Sequence, residues 1–238
     1  LRPVRDASPA ESETSLEDIS HERLILHLSS NGTASGVFHS GDLKESANGS
    51  APADRWLYDP LDTRPGKLEV NDDPGGLTSQ RGVLNLFGEG AVYHSEPFRE
   101  PAEITGFAKL TVWLSMDVPD TDLEAGLYEI LPDGGSVVLS GATMRARYRN
   151  SLREPRPVPA GVPEKYVFEN FTFFSRRVAE GSRLRLVVRS INSTGTEKNY
   201  NSGGTVADET AKDARTAHIT LWHDASHPSV LELPLVNP

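Results

Sequence analysis

Where the chain has a hydrophobic period at all, the period is mostly two. The clearest case runs from Asp117 to Arg149. Leu123 to Leu131 is rich in branched and aromatic residues, and Pro132-Asp133-Gly134-Gly135 follows with turn chemistry. The returning stretch alternates Met144, Ala146 and Tyr148 with Arg145, Arg147 and Arg149. This spacing predicts an antiparallel hairpin whose second strand has one apolar and one arginine face. Arg183 to Ser190 repeats the theme, with Leu184, Leu186 and Val188 alternating with Arg183, Arg185 and, further on, Arg189. In Ile104 to Ser115, Ile104, Ala108, Leu110, Val112 and Leu114 fall on a core face. Thr105, Phe107, Lys109, Thr111 and Trp113 fall on the other.

Further strands are expected at 23–28, 83–87, 91–95, 166–174, 218–223 and 230–235, separated by Gly and Pro clusters. Helical signals are few: one turn from Ser15, with Asp18 three residues on, and a short polar stretch over 206–215. Residues 29–54 read as a long surface loop, 55–60 with Trp56 and Tyr58 as an aromatic clip that anchors it on the core, and 59–82 hold Pro, Gly and Asp without a pattern. The pattern predicts a linker over 1–22 and one all-β sandwich domain over 23–238.

Charge and composition narrow the function. Twenty-four Lys and Arg against 34 Asp and Glu give a formal charge of −10, which argues against a nucleic-acid partner. The absence of cysteine excludes disulfides and thiolate metal sites. No apolar run approaches the roughly 20 residues that a spanning helix needs, so no membrane partner is expected. The chain starts at Leu1 with neither methionine nor a signal pattern, and is expected to be a fragment or a processed product.

Candidate chemistry is sparse. No serine has glycine at both −2 and +2, so the nucleophile elbow of an α/β-hydrolase is missing and no catalytic residue is assigned. Asp117, Asp120 and Asp122 could supply oxygen ligands to a cation such as calcium, or could cap a turn and pair with arginines. His223, Asp224 and His227 could hold a metal, or form a polar turn before the last strand. No cofactor is expected. The stripes Arg145, Arg147, Arg149 and Arg183, Arg185 call for carboxylate partners, on adjacent strands or across a domain interface. Phe107 and Trp113 are candidates for the same interface. Trp56, Trp113 and Trp222 could alternatively stack on sugars, as in a carbohydrate-binding module.

A set of short motifs in fixed order carries a resemblance. Tyr93-His94-Ser95-Glu96-Pro97-Phe98, Ile104-Thr105-Gly106, PDTD at 119–122, PDG at 132–134 and RARYR at 145–149 follow one another. Gly181-Ser182-Arg183-Leu184-Arg185-Leu186, the stretch Asn199 to Gly204, and His227-Pro228-Ser229 complete the order, with RWLYDP at 55–60 upstream. Over about residues 23–238 the chain resembles the C-terminal domain of X-prolyl dipeptidyl-peptidases and the related cocaine-esterase-like and α-amino-acid ester hydrolases. The resemblance implies a jelly-roll, galactose-binding-like sandwich that follows an α/β-hydrolase catalytic domain, packs on it and walls its substrate cleft. The triad would lie in that partner domain. In this chain the cleft-side segment would be 61–92, with Leu68 and Val70 as the apolar wall. Ser182, Asn192-Ser193-Thr194 and Pro65-Gly66 depart from the family pattern.

Overall fold

The structure, a computed structural model, describes residues 22–47, 49–70 and 78–236. Among them, strands β1 (Glu22–Ser29), β2 (Gly41–Lys44) and β3 (Asp54–Tyr58) precede two short helices, α1 (Arg64–Val70) and α2 (Arg81–Leu84). Then come β4 (Gly90–Ser95), β5 (Ala102–Gly106), β6 (Lys109–Met116), β7 (Asp122–Ile130) and β8 (Ser136–Arg145). The last five are β9 (Glu164–Phe168), β10 (Phe174–Val178), β11 (Arg183–Ser190), β12 (Ala217–Trp222) and β13 (Val230–Val236).

The strands form one hydrogen-bonded path, β3-β12-β6-β13-β1-β2-β4-β11-β7-β8, from which β5, β9 and β10 branch. The path folds back on itself. Trp56 on β3 donates through Nε1 to Ser190 Oγ on β11 at 3.1 Å, and Tyr93 on β4 donates to Asp54 on β3 at 2.6 Å. These strands are far apart along the path, so the two halves face each other as a sandwich. Leu110, Val112 and Leu114 of β6 share one core with Leu184, Leu186 and Val188 of β11 and with Leu123 and Leu127 of β7. The all-β sandwich is the fold observed.

A second, smaller core lies on the opposite face of β4 and β11. Val83, Leu86, Val92 and Val187 form it, with Val37 and Tyr128 packed alongside. β11 is therefore covered on both faces, and its arginine-bearing side is roofed by this chain's own 81–89 segment rather than left open.

Several local expectations are corrected. Val83–Phe87 is not a strand: α2 ends at Leu84, and Phe87 and Gly88 take positive φ to turn into β4. The stretch 104–115 breaks in two at Gly106, whose φ of 136° suits only glycine. The stretch 166–174 likewise divides between β9 and β10. β8 ends at Arg145, and Ala146–Tyr148 closes into a 3-10 turn, so Arg147 and Arg149 do not continue a strand face. Segment 29–54 contains β2, 59–82 contains α1, and 206–215 forms only a 3-10 turn at Val206–Asp208. The helical turn expected at Ser15 lies outside the described residues. The Pro132–Gly135 reversal forms as expected, with Leu131 and Gly135 bonded across it and Gly134 at φ 88°.

The sandwich is clamped at one end by a single carboxylate. Asp54, 2% exposed, accepts from Tyr93 OH at 2.6 Å, Ser30 Oγ at 2.7 and 2.8 Å and Ala34 N at 2.8 Å, and lies 3.1 Å from His223 Nε2. Burial pushes this carboxyl up, but the hydrogen bonds from His223, Tyr93, Ala34 and Ser30 together outweigh it and hold it below its ordinary range. Because the folded value is depressed, the stabilisation is present above the unfolded carboxylate pKa of about 3.9 and is lost as pH falls through the folded value. Asp54→Ala should cost about 3–5 kcal/mol in urea unfolding at pH 7. The deficit should shrink below about pH 4. A loss under about 1 kcal/mol at pH 7 would show that the clamp is dispensable.

Candidate functional site

Most of the arginines that the sequence singled out find carboxylates inside the chain. Arg145 pairs with Asp122 at 2.8 Å and reaches Glu197, Arg147 pairs with Asp120 at 2.6 Å, and Arg149 with Glu164 at 3.0 Å. On β11, Arg189 meets Glu124 at 2.7 Å, and Arg183 donates to the Ser95 carbonyl. Arg185 is 6% exposed and donates to His94 Nε2 and Gln80 Oε1. The stripes therefore tie strands and loops of this domain to one another.

The aspartate cluster is taken up in the same way. Asn199 Nδ2 bridges Asp120 and Asp122 at 3.0 Å each, while Asp117 accepts from the backbone and ring of His218. Burial raises the Asp120 carboxyl above its usual range, against the donors from Arg147 and Asn199. Their oxygens serve guanidinium, amide and imidazole donors, and no grouping of three or more metal-type side chains occurs among the described residues.

The residues of WHDASH point to different places. His223 lies in the interior beside Asp54, whereas His227 sits at the surface turn, 3.3 Å from Asp224. The His227 ring lies against Trp113 and Trp222, edge-on to the first and tilted to the second, with centroids 5.2 and 5.7 Å away. Trp56 is buried. Phe107 is half-exposed and packs edge-on against Phe173 at 5.6 Å, apart from the Trp113 cluster.

Ser30, His223 and Asp54 bring the residue types of a hydrolytic triad within hydrogen-bond reach, a grouping invisible in the sequence. The geometry is wrong for catalysis. A triad places the carboxylate on one ring nitrogen and the hydroxyl on the other. Here His223 Nε2 faces both, at 3.1 Å from Asp54 and 3.2 Å from Ser30, and the hydroxyl also sits against both carboxylate oxygens. The Ser30 proton is directed to Asp54, so the imidazole does not activate it. The group is a structural clamp.

Two clefts remain. The larger, about 1130 Å³, runs along β1, β2 and the start of β5 over Leu24, Leu26, Leu43, Phe98 and Leu235, and has no histidine in its lining. The smaller, about 310 Å³, lies beside α1 and is lined by Pro65, Leu68, Leu86, Glu89, Arg189 and Asn192. Of the expected wall residues, Leu68 faces this cleft and Val70 points outward at 71% exposure. Glu69 pins α1 to the loop after β11, accepting from Ser193 Oγ and Thr194 N, each at 2.7 Å.

Comparison with known proteins assigns this arrangement. Residues 10–232 match the family described as the X-Pro dipeptidyl-peptidase C-terminal non-catalytic domain. The chain belongs to that family. It is 30% identical over 214 residues to the cocaine esterase of Rhodococcus sp. (strain MB1 Bresler), covering 89% of this chain and 37% of that relative. An aminopeptidase from a marine sediment Thaumarchaeota archaeon has the same fold, with a TM-score of 0.77 at 17% identity, over 91% of this chain and 37% of the other. An α-amino acid ester hydrolase matches at 0.71 and 18%, over 89% and 36%. The chain thus spans little more than a third of the relatives it matches.

In this non-catalytic domain the most perturbed carboxyl is Glu89, 5% exposed in the smaller cleft. Burial pushes it up to about 7, against the Asn192 amide that donates to it at 3.1 Å. Asn192 in turn accepts from Lys198. Such a raised value does not require a reaction; desolvation beside Asp62 suffices. It does have a consequence for stability. The folded value exceeds the unfolded one, so the contribution is complete below the unfolded pKa and is lost as pH rises towards 7. Glu89→Gln should therefore match the wild type near pH 4 and exceed it by roughly 2–3 kcal/mol near pH 8. Equal stability at both pH values, in paired thermal melts, would mean that Glu89 is not strained by ionising.

Proposed function

We propose that this chain is the accessory C-terminal domain of a larger serine hydrolase, that it packs on an α/β-hydrolase catalytic domain, and that it walls the substrate cleft there. The parent would cleave an ester or an Xaa-Pro amide through an acyl-serine intermediate formed in the other domain. One observation carries this reading. Of the eleven large hydrophobic residues left well exposed among those described, five are Phe38, Leu57, Leu61, Val70 and Leu84. Val70 lies on α1 and Leu84 on α2, which touch each other; Phe38 follows Val37, which packs on the second core, and Leu57 N donates to the Gly88 carbonyl. That concentration of apolar surface beside the smaller cleft is what a docking face presents. Leu68 and Val70 then form the wall, Leu68 towards the cleft and Val70 towards the partner.

The reading also agrees with the length of the relatives and with the non-triad geometry of the Ser30–His223–Asp54 group. The Phe107–Phe173 pair is a smaller, separate patch. The paired arginines support the face from behind by keeping β7, β8 and β11 in register, rather than by reaching across it.

The test is association with the separately produced catalytic region of the parent. Burying a Val or Leu contributes about 1.5–3 kcal/mol, so the double variant Val70→Asp/Leu84→Asp should weaken association by at least roughly a hundredfold. Leu68→Ala should change KM for the parent's substrate more than it changes association. Unimpaired association of the double variant, with both partners folded, would remove this face from consideration.

A further inference from the structure

Arg185 differs from the other arginines held in the fold. Arg145, Arg147, Arg149, Arg176 and Arg189 each have a carboxylate at 2.6 to 3.0 Å. Arg185 is buried as well, yet no carboxylate among the described residues lies within ion-pair distance of it. It stands in a row across three strands, with His94 of β4 on one side and Tyr128 of β7 on the other. Its Nε donates to His94 Nε2 at 2.8 Å and its Nη1 to Gln80 Oε1 at 3.0 Å, while Nη2 makes no hydrogen bond among the described residues.

These partners satisfy donors without neutralising charge. Because His94 accepts the bond at Nε2, its ring is neutral with the proton on Nδ1. Burial and the charges of Arg185 and Arg183 push its pKa down to about 4, which keeps it neutral across the physiological range. Gln80 is a neutral amide, held also by a bond to the Gly134 carbonyl. Asp42, in register with His94 on the far side, is exposed and paired with Lys44 at 2.9 Å. A guanidinium does not deprotonate in a protein, so Arg185 carries a positive charge that no carboxylate among the described residues neutralises.

We propose that Arg185, framed by His94 and Gln80, is a binding site for a carboxylate group. The planar fork of Nη1 and Nη2 matches the two oxygens of a carboxylate, and the Gln80 amide oxygen stands where one of those oxygens would lie. His94, locked as an acceptor, aims the fork. The carboxylate is either a free small molecule or a side chain on a neighbouring domain. The site stands whether or not the catalytic domain docks as proposed above.

The experiment is a thermal melt of the 238-residue chain in sodium acetate exchanged for sodium chloride at constant ionic strength, and again with a short glutamate-containing peptide. A saturable rise in Tm, reaching about 3–5 °C at ten times the midpoint concentration, is expected in the wild type and should vanish in Arg185→Met. A rise with acetate assigns a free carboxylate; a rise with the peptide alone assigns a protein side chain. No rise with either, or an equal rise in Arg185→Met, overturns the proposal. Should Arg185→Met fail to fold, Gln80→Ala serves instead. It frees Nη1 and should move the midpoint several-fold lower, and an unchanged curve would count against the site.

Discussion

The fold depends on burying one charge well. A ten-strand path with three branching strands gives no sandwich unless the path is made to close, and the Asp54 carboxylate ties its two halves together. It collects donors from the loop after β1, from β4 and from the end of β12. A carboxylate with that many hydrogen bonds repays its desolvation, whereas one left with fewer would not. Trp56 to Ser190 and Tyr58 to the Asn199 carbonyl continue the same seam between the halves. The aliphatic core supplies the bulk of the burial, but the seam makes the two sheets register.

The same economy governs the arginines. In a chain of formal charge −10, guanidinium groups are not short of partners, and most here are spent on internal pairs. These hold the β7–β8 hairpin to the 199–204 loop and β11 to its neighbours. Partly buried pairs of this geometry specify position more than they add stability. Their result is a stiff plate. On one side of it lies the main core; on the other lie a thin second core, a small cleft and a group of exposed hydrophobics. A stiff plate with an apolar outer face suits the accessory role proposed above, and the chain belongs to a non-catalytic domain family.

The period of two was enough to read β1, β4, β7, β11, β12 and β13 almost to the residue, because each has a face in the main core. It failed where the burial was made by distant segments. Val83 to Phe87 is apolar because it roofs β11, and a short apolar run cannot distinguish a strand from a turn of helix. The arginine alternation at 145–149 was visible, but the partners Asp120 and Glu164 are brought there by the fold, and the last two arginines leave the strand through a 3-10 turn. Asp54 and Glu89 gave no signal. Each is a lone acid in a stretch without pattern, and only the neighbours gathered from β4, β12 and the loop after β11 make them distinctive. Leu68 and Val70 were picked out as a pair, and the helix that carries them turns one into the cleft and the other out.

The central claim is that serine, histidine and aspartate meet in the interior of the described residues without forming a working nucleophile. The direct test is turnover of a simple activated ester by the rigorously purified chain, alongside Ser30→Ala. The account predicts a rate equal to the buffer blank for both proteins. Turnover by the wild type that disappears in Ser30→Ala, with the variant still folded, would contradict it.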